Sequence, residues 1–293
     1  MLKISIVTPC YNMVNYIEQT IRSVLNQNYM NLEYIVIDGG STDGTLDIIE
    51  KYKDKLAYFI SEPDKGMYDA IRKGFEHSTG DILAWLNADD IYLPGAFLTV
   101  GRVFSEYEDI CWVNGRNAYL SPEGSLTQVV PKNAIRTKKD ILNGWCRDNL
   151  LGFLMQEGMF WRKSLMEKAG GLDLRYRYAG DYELWIRFSA YSELAYVNVP
   201  LAAFRARQDN LSSIQFSGYH EEVKRIHSGK PEYPGLLWRI LPKNNKLLPR
   251  LLGLLHIGRA TIIYYSRLGG ELRRKRVLGN ASPYTLSSIK TLF

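Results

Sequence analysis

The chain has 293 residues, of which 46% are hydrophobic and 23% charged, so it can bury the core of one large folded domain plus an appendage. Its three cysteines, Cys10, Cys111 and Cys146, are far apart and odd in number. This spacing excludes a disulfide framework and a cysteine-rich zinc site, and it favours a reducing cytoplasm.

The hydropathy pattern predicts neither a signal peptide nor a membrane-spanning segment. Residues 1–7 are typical of a strand and not of a signal peptide. The most apolar later segment, residues 251–265, is interrupted by His256 and Arg259. It therefore falls short of the roughly 20 apolar residues that span a bilayer.

The net charge of +6 is unevenly distributed. Residues 224–293 hold 14 Lys and Arg against two acids, whereas residues 1–223 hold 23 Lys and Arg against 29 acids. A mildly acidic body followed by a strongly basic segment predicts two separate roles. The basic segment is a candidate for contact with anionic lipid or nucleic acid.

The first hundred residues alternate between apolar runs typical of buried strands and segments with helical periodicity. We predict strands at 4–8, 32–38, 56–61 and 82–86, with helices at 16–26, 45–52 and 67–77. Short loops between them predict a mostly parallel sheet covered by helices, an α/β fold. Further along the chain we predict strands at 110–115 and 195–199 and helices at 138–143, 164–169 and 181–191.

Four polar residues fall where the first predicted strands end: Thr8, Asp38, Glu62 and Asp89. Ligands bind parallel sheets at the carboxyl ends of the strands, so we expect these residues around one crevice. The pair Asp89–Asp90 follows an apolar run directly, and neighbouring carboxylates at such a position suit a hard divalent cation. The alternative is a polar turn after a buried strand.

Five blocks of sequence, in this order, resemble the signatures of family-two glycosyltransferases with the GT-A fold. They are SIVTPCYN at 5–12, IDGGSTDGT at 37–45, SEPDKGMYDA at 61–70, NADD at 87–90 and GDYELWIR at 180–187. The third block resembles a branch that builds bacterial surface polysaccharides. The resemblance covers about residues 3–215 and implies an enzyme that transfers a sugar from a nucleotide-diphosphate sugar.

The resemblance implies a nucleotide site. Asp38 would accept from the N3–H of a uracil or thymine ring, and Thr8 and Tyr11 would frame that ring. Asp64 and Arg72 lie where the family contacts base or ribose. Alternatives remain open for each: Asp38 could satisfy turn amides, Tyr11 could be core, and Arg72 could belong to a solvated pair at a helix start.

The block at 87–90 resembles the metal-binding D-x-D motif of the family. Asp89 would contact Mg²⁺ or Mn²⁺ or the ribose, with Asp90 beside it. The first position is Asn87, so one negative charge of the motif is missing, although an amide can still bind a ribose hydroxyl or a metal-bound water.

Asp181 lies in the block that carries the catalytic base of the family, and an inverting transfer needs one carboxylate to accept the proton of the attacking hydroxyl. The alternative is that Asp181 caps a helix N-terminus. Glu183 would orient neighbouring groups or the acceptor. Gln156 and Glu157 would line the acceptor pocket, with plain surface polarity as the alternative.

A basic, mobile-looking loop is predicted after the last strand, at residues 205–213. In the family such a loop closes over the diphosphate, and Arg205, Arg207 and Ser212 suit that role through charge-assisted hydrogen bonds. The histidine expected there is missing unless Gln208 replaces it.

We therefore expect an inverting, metal-assisted glycosyltransferase that adds one sugar to a lipid-linked or growing surface glycan, with a UDP-sugar favoured over GDP and dTDP donors. The predicted division is a GT-A domain at 1–223, with a nucleotide-sugar half to about residue 100 and an acceptor half after it, and a basic amphipathic helical extension at 224–293. That extension would hold the enzyme on the cytoplasmic face of an anionic membrane, and nucleic acid is not expected as a partner because no recognition motif accompanies the charge. The alternatives are a sugar-1-phosphate nucleotidyltransferase and a catalytically silent nucleotide-sugar-binding protein.

Overall fold

The computed structural model describes residues 1–131, 135–146, 151–207, 216–229, 259–265 and 271–278. The strands are β1 (Ile4–Cys10), β2 (Leu32–Asp38), β3 (Tyr58–Ser61), β4 (Ile82–Trp85), β5 (Ile91–Tyr92), β6 (Trp112–Arg116), β7 (Ala118–Leu120), β8 (Leu126–Val129), β9 (Met159–Arg162), β10 (Ala195–Pro200), β11 (Ala202–Arg205), β12 (Arg259–Tyr265) and β13 (Leu272–Leu278). The α-helices are α1 (Ile17–Leu25), α2 (Thr45–Glu50), α3 (Met67–Glu76), α4 (Ala96–Glu106), α5 (Lys138–Leu142), α6 (Lys163–Ala169), α7 (Gly180–Tyr191) and α8 (Phe216–His227).

The first four strands form a parallel layer that alternates with helices. β1 pairs with β2 on one side and β4 on the other, and β3 extends the layer beyond β2. Helix α3 packs closely on β1, as the contact at Gly74 shows. A Cβ atom added there would lie 2.3 Å from Cγ1 of Val7. The alternation predicted from the sequence is confirmed over this half of the chain.

The same sheet continues through the second half of the chain. In the order β13-β12-β10-β6-β9-β4-β1-β2-β3, β9 runs antiparallel between β4 and β6, and β10 is parallel to β6. Among the described strands the sheet is thus mostly parallel, and the predicted α/β class is confirmed.

A second, smaller sheet covers the end of β4. Its order is β5-β11-β7-β8, and Ala118, Leu120 and Ala203 form its buried apolar cluster. These strands and helix α4 were not predicted, since the strands are only two to four residues long and carry little periodicity. Their position brings the end of β11 against the Asn87–Asp90 turn.

Four buried tryptophans fix helix α7 against the sheet. Trp185 of α7 stacks on Trp85 of β4 at 5.7 Å between ring centroids and on Trp112 of β6 at 5.8 Å, while Trp161 of β9 meets it edge-on at 5.5 Å. Buried aromatic contacts of this kind contribute about 0.5–1.5 kcal/mol each beyond area burial. The N-terminus of α7 is therefore held at a defined place over the carboxyl end of β4.

The described part of the C-terminal segment is strand and not helix. β12 pairs in parallel with β10 and antiparallel with β13, which lies at the edge of the sheet. The predicted helical extension is wrong for these residues, because the β-branched Thr261, Ile262 and Ile263 pack as a sheet strand once β10 offers a partner. Across the described ranges no helix has the length and hydropathy needed to cross a bilayer.

Candidate functional site

The candidate site is the crevice at the carboxyl ends of β1 to β4, where the loops after these strands meet. Asn12 joins two of these loops. Its backbone N–H donates to Ser41 Oγ at 2.8 Å, and its side-chain Oδ1 accepts from the backbone N–H of Thr42 at 2.9 Å. Asn12 adopts a left-handed conformation with φ of 51°, which Asn tolerates better than most residues. These two hydrogen bonds fix the loop after β1 against the loop after β2.

Asp38 is fully buried, and the turn after β2 occupies its carboxylate. Oδ2 accepts from the amides of Gly40 and Ser41, each at 2.9 Å, and from the Ser61 hydroxyl at 2.7 Å, while the Ser41 hydroxyl donates to Oδ1. This geometry supports the turn-satisfying alternative. Because Asp38 has no exposed surface, a base could donate to its carboxylate only if the surrounding turn opened.

Tyr11 and Asp64 lie close to Gly39, the residue that follows Asp38. Tyr11 is 59% exposed. A Cβ atom on Gly39 would lie 2.7 Å from Asp64 Oδ2 and 3.4 Å from Cδ2 of Tyr11. Asp64 Oδ1 accepts from the Gly66 amide at 2.7 Å, which fixes the carboxylate. A flat ring resting on Tyr11 would meet a fixed hydrogen-bond acceptor.

Two other predicted nucleotide contacts, Thr8 and Arg72, are bound to protein groups. Thr8 lies within β1, has no exposed surface, and its hydroxyl accepts from Tyr34 at 3.1 Å. β1 continues to Cys10, so Thr8 is not at the strand end as predicted. Arg72 forms ion pairs with Asp69, at 3.0 Å, and with Glu76 along α3, which favours the helix-surface alternative.

Asp89 is bound by an arginine 118 positions away in the chain. Its Oδ2 accepts from Nε and Nη2 of Arg207 at 3.1 and 2.8 Å, and the Arg207 guanidinium lies 4.5 Å above the centroid of the Tyr16 ring. Burial raises the pKa of Asp89, and the charge of Arg207 opposes that shift. Bidentate pairing of this kind favours the ionised carboxylate.

Asp90 serves the fold beneath Asp89. It has no exposed surface, and its Oδ1 accepts from the Arg205 amide at 2.8 Å. Burial raises the pKa of Asp90 well above its ordinary value, and the charges of Asp89 and Glu157 add to the rise. Asp90 therefore joins β11 to the end of β4, and a buried side chain of this kind offers no surface to a metal ion.

Arg205 is the last residue of β11 and not part of a loop, which corrects the sequence prediction. Its Nε donates to the carbonyl oxygen of Asp89 at 2.6 Å, its Nη1 to that of Pro122 at 3.0 Å, and its Nη2 to Gln19 Oε1. Because all three nitrogens bind protein groups, this side chain stabilises the fold around the crevice. Ser212, assigned to the same loop, lies outside the described residues.

The oxygen atoms of Asn87 and Asp89 are the candidate metal donors at this turn. Within the described ranges, no three His, Cys, Asp or Glu side chains come close enough to hold an ion by themselves. The side chain of Asp89 is 12% exposed, and Asn87 Oδ1 is buried without a hydrogen-bond partner among the residues described. Mg²⁺ and Mn²⁺ take oxygen ligands and commonly complete their shell with substrate phosphates and water. The residues fit such an ion shared with a diphosphate.

Asp181 is the second residue of α7 and is half-buried. Its Oδ1 accepts from the hydroxyl of Tyr68 at 3.1 Å, and its amide N–H donates to the same hydroxyl oxygen at 3.0 Å. The helix is preceded by Ala179 without a side-chain cap, so Asp181 is not the N-cap residue. Burial raises the pKa of Asp181, and the Tyr68 hydrogen bond partly opposes this. A raised pKa makes this carboxylate a stronger proton acceptor than an ordinary aspartate.

Glu157 lies close enough to both Asp181 and Asp89 to respond to their charges. Burial, followed by the charges of Asp181 and Asp89, raises the pKa of Glu157 to about 8. Because charge interactions decay with distance, both aspartates lie within interaction range of Glu157.

The neighbouring predicted residues differ in what they contact. Gln156 Nε2 donates to the carbonyl oxygen of Trp85 at 2.7 Å, while its buried Oε1 has no partner in the part of the chain described. Glu183 binds Arg187 through both oxygens, at 2.6 and 2.7 Å, and Arg187 in turn donates to the carbonyl oxygen of Gly171 at 2.7 Å. Gln156 thus has an acceptor available at the site, whereas Glu183 orients the turn between α6 and α7.

Sequence reasoning missed three residues that position the site. Tyr68 lies inside the recognised 61–70 block, so the signal was present, but its partner 113 positions away was not evident. Tyr16 lies below Arg207, and Glu222 binds the residues before α7. No sequence spacing indicates these last two contacts, because the fold alone creates them.

A family model matches the first half of the chain. Residues 5–155, just over half of the chain, match the model of glycosyl transferase family 2. An uncharacterized glycosyltransferase of Rickettsia typhi is 28% identical over 228 residues, which cover 77% of this chain and 70% of the relative. An uncharacterized glycosyltransferase of Mycobacterium tuberculosis is 29% identical over 209 residues, covering 69% and 74%.

Solved structures share the fold at low identity. Residues 1–349 of S. aureus TarS in complex with UDP-GlcNAc superpose with a TM-score of 0.59 at 16% identity, covering 79% of this chain and 68% of that one. The mannosyltransferase PcManGT from Pyrobaculum calidifontis, in complex with GDP-Man and Mn²⁺, superposes with a TM-score of 0.54 at 16% identity, covering 82% and 68%. At this identity the likeness establishes the fold.

Proposed function

The chain belongs to glycosyl transferase family 2 and is a glycosyltransferase with a GT-A fold, and we propose that it transfers one sugar from a nucleotide-diphosphate sugar to an acceptor hydroxyl with inversion. One observation carries the proposal: Asp181, a half-buried carboxylate held by the Tyr68 hydroxyl, has a raised pKa and lies, like Asp89, close enough to Glu157 to act on its titration. A single displacement needs one carboxylate as the base and a group that binds the charge of the leaving group, and Asp181 and the turn at Asp89 can fill these roles.

The donor base binds beside Tyr11 and Asp64. Its ring stacks on the exposed Tyr11, and Asp64 accepts the N3–H of a uracil. The absence of a side chain at Gly39 lets Asp64 lie this close to the turn after β2, since a Cβ there would be 2.7 Å from Asp64 Oδ2. This assignment replaces Asp38 by Asp64 as the base-contacting carboxylate and favours UDP, with dTDP and GDP sugars as the alternatives.

The diphosphate lies at the Asn87–Asp89 turn. Asp89 and Asn87 Oδ1 would hold Mg²⁺ or Mn²⁺ there, and such an ion supplies positive charge that stabilises the departing nucleotide diphosphate. A structural neighbour contains Mn²⁺ with GDP-Man, which supports the choice of ion class. Arg207 adds a second cation beside Asp89, at 2.8 Å.

Asp181 performs the proton transfer. The acceptor hydroxyl attacks the anomeric carbon while its proton moves to an oxygen of Asp181, the new glycosidic bond forms, and the bond to the phosphate oxygen breaks. The Tyr68 hydroxyl donates one hydrogen bond to Asp181 Oδ1 and accepts one from the Asp181 backbone amide, which fixes the carboxylate relative to the start of α7. Attack on the face of the anomeric carbon opposite the leaving group inverts the anomeric configuration.

The acceptor is a glycan, lipid-linked or growing. Gln156 Oε1 and the Glu157 carboxyl group offer hydrogen-bonding atoms close to Asp181, which suits sugar hydroxyls. A neutral saccharide hydroxyl is therefore the group presented to the base.

We also propose that the basic C-terminal segment binds the cytoplasmic face of an anionic membrane. Residues 273–276 of the edge strand β13 are all basic and all exposed. Each basic group close to anionic lipid contributes on the order of 1 kcal/mol. Charged edge strands also protect sheets from edge-to-edge aggregation, which is the competing explanation. We propose that the chain divides by role at about residue 223, with the basic surface after it. β12 and β13 nevertheless complete the sheet of the catalytic domain.

The donor proposal is tested by thermal stabilisation with UDP-, dTDP- and GDP-sugars, with and without Mn²⁺. A ligand at 100 times its Kd stabilises the folded state by about 2.7 kcal/mol, so the true donor raises Tm and the others do not. Asp64→Asn should abolish the rise with a UDP-sugar, and Asp47→Asn, an exposed carboxylate of α2, should leave it intact. A rise that survives Asp64→Asn would remove Asp64 from the base site.

A further inference from the structure

Helix α8 places one carboxylate on three consecutive backbone amides. Glu222 Oε1 accepts from the amide of Arg177, and Oε2 accepts from those of Tyr178 and Ala179, each at 2.8 Å. The side chain is only 9% exposed. A buried carboxylate with three short amide hydrogen bonds is a fixed element of structure.

These three amides immediately precede α7, the helix that carries Asp181. α7 begins at Gly180, and Ala179 supplies no side-chain cap. Helix N-termini leave amide groups without intrahelical partners and carry a partial positive charge, so an acceptor and a negative charge both stabilise them. Glu222 provides both from a different part of the chain.

Packing fixes α8 in the position from which Glu222 acts. Val223 and Ile226 of α8 form one buried cluster with Ala179, Tyr182 and Ile186 of the α7 region. Close approach continues at Gly218, where a Cβ would lie 2.7 Å from Cε2 of Tyr178. The carboxylate therefore cannot move without displacing the helix.

We propose that Glu222 is a positioning residue for Asp181, holding the backbone that leads into α7 so that the Asp181 carboxylate stays at the reacting hydroxyl. The proposal rests on the proposed role of Asp181 as the base. Its consequence is that α8, which follows residues 208–215, couples the C-terminal side of the crevice to the proton acceptor. Tyr68 holds Asp181 from α3, and Glu222 holds the chain that precedes it from α8.

Glu222 also affects the charge around the base. Burial is the largest cause of the raised pKa of Asp181, and the negative charge of Glu222 adds to it. The other groups that face Asp181 are Tyr68 from α3 and Glu157 from the segment before β9. Removing the charge of Glu222 should therefore lower the pKa of Asp181 and move the acidic limb of the rate profile to lower pH.

The experiment compares wild type with Glu222→Ala, Glu222→Gln and the control Glu221→Gln, an exposed neighbour on the same helix. Transfer kinetics against pH and hydrogen exchange of amides 177–179 are measured on the full chain. Misplacing a reacting group by about 1 Å costs on the order of 10²-fold, so Glu222→Ala should lose roughly tenfold to 10²-fold in kcat with the donor KM within about twofold. Glu222→Gln keeps one acceptor oxygen and should lose less, with its acidic limb at lower pH.

Three outcomes decide the proposal. Wild-type kcat and an unmoved pH limb in Glu222→Ala would overturn it, as would unchanged protection of amides 177–179. Faster exchange confined to those amides and the start of α7, with Glu221→Gln like wild type, supports it. If wild type itself transfers no sugar, the proposed function fails, and the exchange data still decide whether Glu222 holds the entry to α7.

Discussion

Tyr68 and Asp181 hold each other through a single hydroxyl. The Tyr68 hydroxyl donates to Asp181 Oδ1 at 3.1 Å, and the same oxygen accepts the Asp181 amide at 3.0 Å. The contact joins α3, which follows the donor-side loops, to the first turn of α7. It links the two halves of the crevice.

Tyr68→Phe should therefore reduce transfer while leaving the fold intact. The ring keeps its edge-on contact with Trp85, at 6.5 Å between centroids, so the change removes only the hydroxyl. The Tyr68 hydrogen bond lowers the pKa of Asp181, against the larger rise from burial, so its loss raises that pKa. We expect kcat to fall by roughly tenfold, in the range that follows misplacement of a reacting group, and the acidic limb to move to higher pH.

The measurement is a pH–rate profile of transfer, with Tyr191→Phe as the control. Tyr191 is 52% exposed at the far end of α7, so its variant tests the effect of a lost hydroxyl outside the site. An acidic limb that stays in place in Tyr68→Phe would show that the hydrogen bond does not tune the base.

Arg207→Gln should expose the carboxylate of Asp89 to a cation. The pair is buried, with side chains 8% and 12% exposed, so removing the arginine leaves an uncompensated carboxylate. Breaking a buried pair by removing one partner costs about 3–5 kcal/mol. We expect Tm to fall without metal and Mn²⁺ to restore a larger part of it than it adds to wild type.

The control is Arg102→Gln, whose partner Glu106 is 41% exposed at the surface of α4. It should lose little stability and gain nothing from Mn²⁺, since exposed pairs contribute about 0–1 kcal/mol. A Tm of Arg207→Gln that ignores Mn²⁺ would argue that Asp89 does not bind the ion. Charge neutralisation would then rest with Arg207 itself.

Replacing two exposed basic residues of β13 tests the membrane proposal. Arg274 and Arg276 pair with Asp109 and Glu193, whereas Arg273 and Lys275 carry charges less engaged by strong ion pairs. The double variant Arg273→Gln with Lys275→Gln should keep the strand and weaken flotation with phosphatidylglycerol liposomes at low salt. At about 1 kcal/mol per charge the affinity should fall by roughly 10–30-fold.

Truncation at residue 230 is not a suitable control, because it would delete β12 and β13, which the sheet requires. Neutral phosphatidylcholine liposomes serve instead. If wild type fails to float with anionic liposomes, or if the double variant instead aggregates, the exposed charges protect the sheet edge and do not bind lipid.

The sequence predicted what periodicity controls and missed what long-range contacts control. Strands β1 to β4 were placed within a few residues, because apolar runs and short loops determine them locally. The engagement of Asp38 was underestimated, since Ser61 comes from a strand 23 residues away. Arg205 was assigned to a loop because nothing in its neighbours reveals that Asp89, Pro122 and Gln19 bind its three nitrogens.

The C-terminal segment shows the same division. Residues 259–265 read as part of an amphipathic helix when Leu, Ile and Tyr were counted with the arginines. The strand forms because β10 has an unpaired parallel edge, which Thr261, Ile262 and Ile263 extend. A helix prediction from composition cannot include a partner strand that lies sixty residues earlier in the sequence.

The central claim is that Asp181 is the proton acceptor, and Asp181→Asn tests it most directly. Donor binding, read as thermal stabilisation by the nucleotide sugar, is measured beside transfer to a saccharide acceptor, with Asp173→Asn, a carboxylate held by Arg175, as the matched control. The account predicts donor binding within about twofold of wild type and transfer reduced by roughly 10²-fold or more. A folded Asp181→Asn protein that transfers sugar at a near-normal rate would contradict it.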